Sequence, residues 1–177
     1  MTVTAGASIG SSEAFSHENP NWTLGGDVTV RHQFTFEPGG MVKQDFIVMP
    51  VTEEQLEPVY ENETFISNIV HIVETGDYVY SMRKLTIADD VDLANVVFGV
   101  TNPEDLPAVT KASLADLPRF TMFAANALSG TVATENGGYA PEGSEKNCKW
   151  LFRTKRNSVN EVEFYPFQKL GFAVIVR

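Results

Sequence analysis

The 177-residue chain contains a single cysteine, Cys148. One cysteine excludes an intrachain disulfide and a thiolate metal cage. A reactive thiol would need a nearby histidine to lower its pKa, and no local motif supplies one. Cys148 is expected to be a small, buried or half-buried residue. No apolar run approaches the roughly 18–20 residues that a membrane-spanning helix needs. The start of the chain has neither the basic nor the apolar region of a secretory signal, so the glycosylation sequons at Asn21 and Asn62 read as chance matches. The first basic residue is Arg31, and 13 Lys and Arg face 23 Asp and Glu, a formal net charge of −10. Such a chain repels a phosphate backbone, so no direct nucleic-acid binding is expected. Phosphate-binding glycine loops are missing, as is any repeat period of a propeller or solenoid.

What the chain does have is strand material. Its length fits one domain, and a chain of this size buries roughly 70% of its extended surface on folding, enough for one core. Residues 1–24 are rich in Ser, Thr, Gly and Ala and read as a flexible N-terminal arm, with Phe15 and Trp22 as possible anchors; residues 25–177 read as the folded domain. Val28, Val30, His32, Phe34 and Phe36 alternate with polar residues, which predicts a half-buried strand. Pro38-Gly39-Gly40 ends it, and the segment from Met41 to Val51 returns as its hairpin partner. Thr52 and Gln55 make a capping box, so one helical turn is expected before Pro58, within a glutamate-rich loop over 53–63. Thr64 to Glu74 and Tyr78 to Ile87 read as strands joined by a turn at Thr75-Gly76-Asp77. Asn95 to Thr101, Phe120 to Leu128, Cys148 to Thr154, Val159 to Tyr165 and Leu170 to Val176 are further strands. Short helical turns are expected after Asn102-Pro103 and within Lys111 to Leu117, and a long polar loop over 135–147. The resulting class is all-β, an antiparallel β-sandwich or barrel, with a single jelly roll as the leading architecture.

Candidate chemistry is thin. Gly6-Ala7-Ser8-Ile9-Gly10 has the letters of a nucleophile elbow, but that motif needs a strand before it and a helix after it, and neither is indicated. His17, His32 and His71 are the only histidines; a metal-dependent barrel enzyme would need His32 and His71 to converge, and a core histidine is the simpler reading of His32. Asp89-Asp90-Val91-Asp92 has carboxylates but not the spacing or glycine of a calcium loop. No catalytic, cofactor-binding or metal-binding residue is assigned, no cofactor is expected, and the chain is expected not to be an enzyme. Lys146, Lys149, Arg153, Lys155 and Arg156 form the one basic run. A solvated strand face is its simplest reading; the alternative is an electrostatic patch for the acidic 53–63 segment of another copy.

The layout resembles small single-jelly-roll viral capsid proteins. The segments that carry the resemblance are the nearly uncharged arm, VTVRHQFTF at 28–36, GDYVYSMRKL at 76–85 and EVEFYPFQKLGFAVIVR at 161–177. It implies a non-enzymatic virion subunit that meets other copies of itself, and a second capsid protein where one is present. The arm lacks the basic residues with which many such proteins neutralise RNA, so an outer layer or proximity to a membrane, without a span, fits better. Residues 1–24, 53–63 and 135–147 are the expected contact elements. A carbohydrate- or ligand-binding β-sandwich, such as a host-attachment domain, is the competing class, with Trp22, Trp150 and tyrosines as its platform.

Overall fold

The computed structural model describes residues 2–3, 8–9, 28–30, 35–36, 40–94 and 96–170. In chain order the strands are β1 (Thr2–Val3), β2 (Ser8–Ile9), β3 (Val28–Val30), β4 (Thr35–Phe36), β5 (Met41–Gln44), β6 (Phe46–Glu61), β7 (Thr64–Met82), β8 (Leu85–Ile87), β9 (Val91–Asp92), β10 (Val97–Val100), β11 (Phe120–Ala124), β12 (Leu128–Ser129), β13 (Ala133–Thr134), β14 (Cys148–Thr154) and β15 (Glu161–Gln168). Helical structure among the described residues is limited to 3₁₀ turns at Pro103–Asp105, Ser113–Ala115 and Glu135–Gly137. The chain is therefore all-β, and the turns after Asn102 and within 111–117 fall where the sequence predicts them. The chain divides into two compact units: residues 1–46 with 82–177, here the body, and residues 47–81.

The body holds a four-stranded sheet in the order β13-β10-β5-β2 and a five-stranded sheet in the order β14-β15-β11-β8-β3. Antiparallel pairing is confined within them to β14/β15 and β11/β15. The pairs β10/β13, β5/β10, β2/β5, β8/β11 and β3/β8 are parallel. This corrects the expected all-antiparallel pairing. It also corrects the first hairpin: β3 lies beside β8, β4 beside β1, and β5 between β10 and β2, so among the described residues neither β3 nor β4 pairs with β5. β3 and β5 belong to different sheets, and strands consecutive in sequence but placed in different sheets are free to take parallel neighbours. The closing strand expected at 170–176 and the histidines His17 and His32 lie outside the described residues, Leu170 excepted.

Aromatic packing sets the core. Along β14, Cys148, Trp150 and Phe152 are buried while Lys149, Leu151 and Arg153 are half-exposed, the two-residue alternation of a strand with one face inward. Cys148 thus takes the buried position expected of it. Trp150 is fully buried and stacks on Phe164 at 5.0 Å, and Phe164 meets Phe152 at 4.5 Å. Phe98 on β10 lies 5.7 Å from Phe152 and 5.7 Å from Phe123, so rings from both sheets share one cluster. The indole Nε1–H of Trp150 donates to the Pro107 carbonyl at 2.9 Å, which satisfies its one polar group. Asn102 acts as a strand substitute: its side chain accepts from the Phe46 N–H and donates to the Phe46 carbonyl, both at 2.8 Å.

Gln44 breaks this pattern of satisfied polar groups. Its side chain is fully buried, and neither amide atom has a hydrogen-bond partner among the described residues. An unpaired buried amide costs about 1–3 kcal/mol, and an apolar side chain of the same shape escapes that cost. Gln44→Met is therefore expected to raise stability by about 1 kcal/mol or more in a denaturant titration. A lower unfolding midpoint would show that the amide is paired.

Candidate interaction site

The second unit is a long β-hairpin, the 16-residue β6 against the 19-residue β7. Its turn is Asn62-Glu63, with φ of 49° and 65°. Two successive residues at positive φ define a type I′ turn, whose twist matches that of the strands it joins. Beside the turn, Tyr60 and Phe65 meet edge to face at 6.0 Å. Further down, His71 lies 2.7 Å from Glu57, and the Thr75 hydroxyl donates to the Val51 carbonyl at 3.1 Å. The capping box at Thr52 and Gln55 is strand, not helix, and the glutamate-rich loop is mostly strand as well. Thr75-Gly76-Asp77 lies inside β7 rather than at a turn, and Gly76 takes a φ of 87° there. The local signals lose to cross-strand pairing: Ile66, Ile69, Val70, Ile72 and Val73 are β-branched and need only a partner strand. Pro50 and Pro58 are tolerated because β6 has one neighbour and so is an edge.

The surface of this hairpin is unusual. Leu56 is 60% exposed, Tyr60 61% and Ile72 64%, and Phe65, Ile66, Ile69, Val70, Tyr78 and Val79 are about half exposed. Residues 47–81 also hold seven of the chain's 23 acidic residues and none of its 13 basic ones. A lone two-stranded hairpin is marginal in water, and contiguous exposed apolar surface marks a place where something binds.

The other candidates are absorbed by the body. Ser8 lies in β2, paired in parallel with Met41, so its backbone is strand and not an elbow. In the acidic loop, the Asp89 carboxylate accepts from the Asp90 N–H, Asp90 from the Asn126 amide, and Asp92 from the Ala94 N–H. These three residues use their oxygens locally, and no cluster of metal-ligating side chains exists among the described residues. His71 has Glu57 beside it. Trp150 cannot serve as a sugar platform, because it lies in the core.

The 135–147 segment is held by its own body. Tyr139 is buried and exchanges backbone hydrogen bonds with Trp150 at 3.1 and 2.7 Å. Its hydroxyl accepts from the Val100 N–H and donates to Glu135, both at 2.9 Å; burial, with Glu135 beside it, pushes its pKa well above the usual phenol range. Glu135 also pairs with Lys43 at 2.7 Å. Gly99 leaves the room for this network: a Cβ there would lie 2.6 Å from a Glu135 carboxylate oxygen. In the sequence Tyr139 stands out only as a lone aromatic ring in a polar stretch.

The basic run is largely paired. Both Nε and a terminal nitrogen of Arg153 bind one oxygen of the buried Glu163 at 2.7 Å, and the guanidinium covers the Tyr165 ring at 3.9 Å. Lys155 pairs with Glu161 at 2.8 Å and donates to the Thr121 hydroxyl at 3.0 Å, and Lys84 reaches Glu161 at 3.5 Å. Lys149 donates to the Gly137 carbonyl. Lys146 and Arg156 are exposed. Comparison of the chain with protein-family models, with curated proteins and with solved structures finds no match.

Two measurements test this geometry. The hydrogen bond from Lys155 lowers the Glu161 pKa below its ordinary 4.5, with the Lys155 and Lys84 charges adding to it against a smaller cost of burial. A lowered folded-state pKa stabilises the fold fully above the ordinary glutamate value and loses that contribution as pH falls through the folded value. The stability gap between wild type and Glu161→Gln should therefore be open at about pH 7 and narrow as the pH falls below the ordinary glutamate value. A gap that does not change with pH would dismiss the ion pair. At the hairpin tip, Glu63 sits in the left-handed region that glycine prefers, so Glu63→Gly should stabilise the turn by about 1 kcal/mol. Amide exchange at Glu61 and Thr64 should slow about fivefold; unchanged exchange would argue against the type I′ turn.

Proposed function

We propose that the protein is a non-enzymatic structural subunit that self-assembles through its β-domain, as a viral capsid subunit does. One observation carries this reading: a hairpin with large apolar side chains exposed along both of its strands. A protein working alone gains nothing from such a surface, whereas a subunit buries it on assembly. The finer architecture in this proposal is a sandwich of jelly-roll type. The contacts of Phe98 on β10 with Phe123 on β11 and Phe152 on β14 support two facing sheets. The assembled site of action is then the virion, and the partners are further copies of the chain together with any second capsid protein.

Sedimentation velocity of the full chain over a range of concentrations tests the reading. Self-assembly predicts species well above the monomer mass of 19.5 kDa, growing with concentration. A chain that stays at monomer mass throughout rejects self-assembly and returns attention to ligand binding.

A further inference from the structure

We infer that the acidic hairpin of one copy docks on the net-basic outer face of the β11–β15–β14 sheet of a second copy. This deepens the self-assembly reading and rests on it. Strand register builds the basic face. Thr121 on β11 and Arg153 on β14 both stand opposite Glu163 on β15, and Leu151 stands opposite Tyr165 in the next row. The inward row between them is Phe120, Phe164 and Phe152. Around the outward rows gather Lys84, Lys155 and Arg153, and Arg119 lies 5.9 Å from the Tyr165 ring. Glu163 and Glu161 are matched by Arg153 and Lys155, and the exposed Arg119 holds no ion pair among the described residues, which leaves the face net positive. The basic patch is thus assembled from distant segments and is not the run at 146–156.

Charge selects the occupant. The hairpin has seven acidic residues and no Lys or Arg. Two hairpins laid on each other would set like charges face to face, which opposes a symmetric hairpin-to-hairpin contact. A net-basic sheet face has the opposite sign. The apolar surface agrees with this placement. Among the described residues outside β6 and β7, the large apolar side chains that are exposed are Val159 and Leu170, at 79% and 71%. They lie just beyond the two ends of β15, which spans about 26 Å at the usual rise of a strand. Both hairpin strands are longer than that, so one hairpin can reach both apolar ends across the cations between them. The contact joins two different surfaces and therefore propagates from head to tail, closing into a ring or growing into an array.

The test is a charge exchange on exposed residues that hold no ion pair among the described residues. One variant carries Glu54→Lys and Glu61→Lys on the hairpin. The other carries Arg119→Glu and Arg156→Glu, the second in the turn between β14 and β15. Each variant alone should associate about tenfold or more weakly than wild type in sedimentation velocity. An equimolar mixture of the two should recover pairwise association, because the unaltered hairpin of the Arg119/Arg156 variant then meets the unaltered face of the Glu54/Glu61 variant, and recovery also shows that both variants fold. If wild type assembles and the Arg119/Arg156 variant assembles equally well, the docking inference fails while the self-assembly reading survives. If the mixture fails to recover, the pairing of these two surfaces is wrong. If wild type itself remains monomeric, both fall.

Discussion

The stacking of Trp150 on Phe164 is the contact on which the body depends. The two rings lie 5.0 Å apart and nearly parallel, on antiparallel neighbours in the same sheet. Phe152 and Tyr139 meet the same Phe164 ring, at 4.5 and 6.3 Å. Phe152 passes the cluster to Phe98 and so to the other sheet. Aromatic side chains bury more area than any others and prefer offset or edge-on contacts, so a connected set fixes strand positions as well as stabilising them. Phe46 joins through Trp150 at 6.0 Å and Phe120 at 5.7 Å. Phe46 is also the first residue of β6, so the hairpin begins at a core anchor whose backbone Asn102 clamps on both polar groups.

A strand whose even-numbered positions are filled by rings must place its odd-numbered positions outward. On β14 those positions hold Lys149, Leu151 and Arg153, and on β15 they include Glu161, Glu163 and Tyr165. The core thereby dictates the pattern of outward charges. Glu163 is 5% exposed, and a carboxylate so covered needs a close countercharge, which Arg153 supplies through two nitrogens. The ion pairs of this sheet follow from core packing, and the excess of cations over carboxylates is what remains at its surface.

Sequence reading reached the elements whose signal is local in the right sense. The alternation of Cys148, Trp150 and Phe152 with Lys149 and Arg153 was readable as a half-buried strand, and Asn102-Pro103 as a short turn. It missed features set by partners distant in sequence. Thr52 with Gln55 reads as a helix cap, and Thr75-Gly76-Asp77 as a hairpin turn, because nothing in those windows shows that Thr64 onward will pair with the chain up to Glu61. The parallel pairing of β5 with β10 and of β8 with β11 is equally invisible locally, since residue alternation is the same in both orientations. The acidity of 53–63 was legible. Of the basic face, Arg153 and Lys155 were legible as part of a basic run, whereas Lys84 and Arg119 were not, because only folding brings them to Glu161 and Tyr165.

The combination of apolar and acidic residues on one hairpin has its own physical logic. Both strands of a two-stranded sheet are edges, and an exposed, β-branched edge invites indiscriminate pairing with any other strand. Glutamates spread along β6 make pairing with another copy of the same hairpin place like charges together, while leaving Leu56, Tyr60, Ile69 and Ile72 available to a surface of opposite sign. In the proposed docking the apolar residues would supply affinity, and the charges would determine which surface receives it. Salt acts on these two parts differently. At about 0.15 M ionic strength charges screen over about 8 Å, which weakens long-range attraction but leaves close pairs largely intact. Raising the salt further strips away the discrimination before it removes the apolar attraction, so an acidic apolar hairpin keeps its partner choice only while its carboxylates remain charged and incompletely screened.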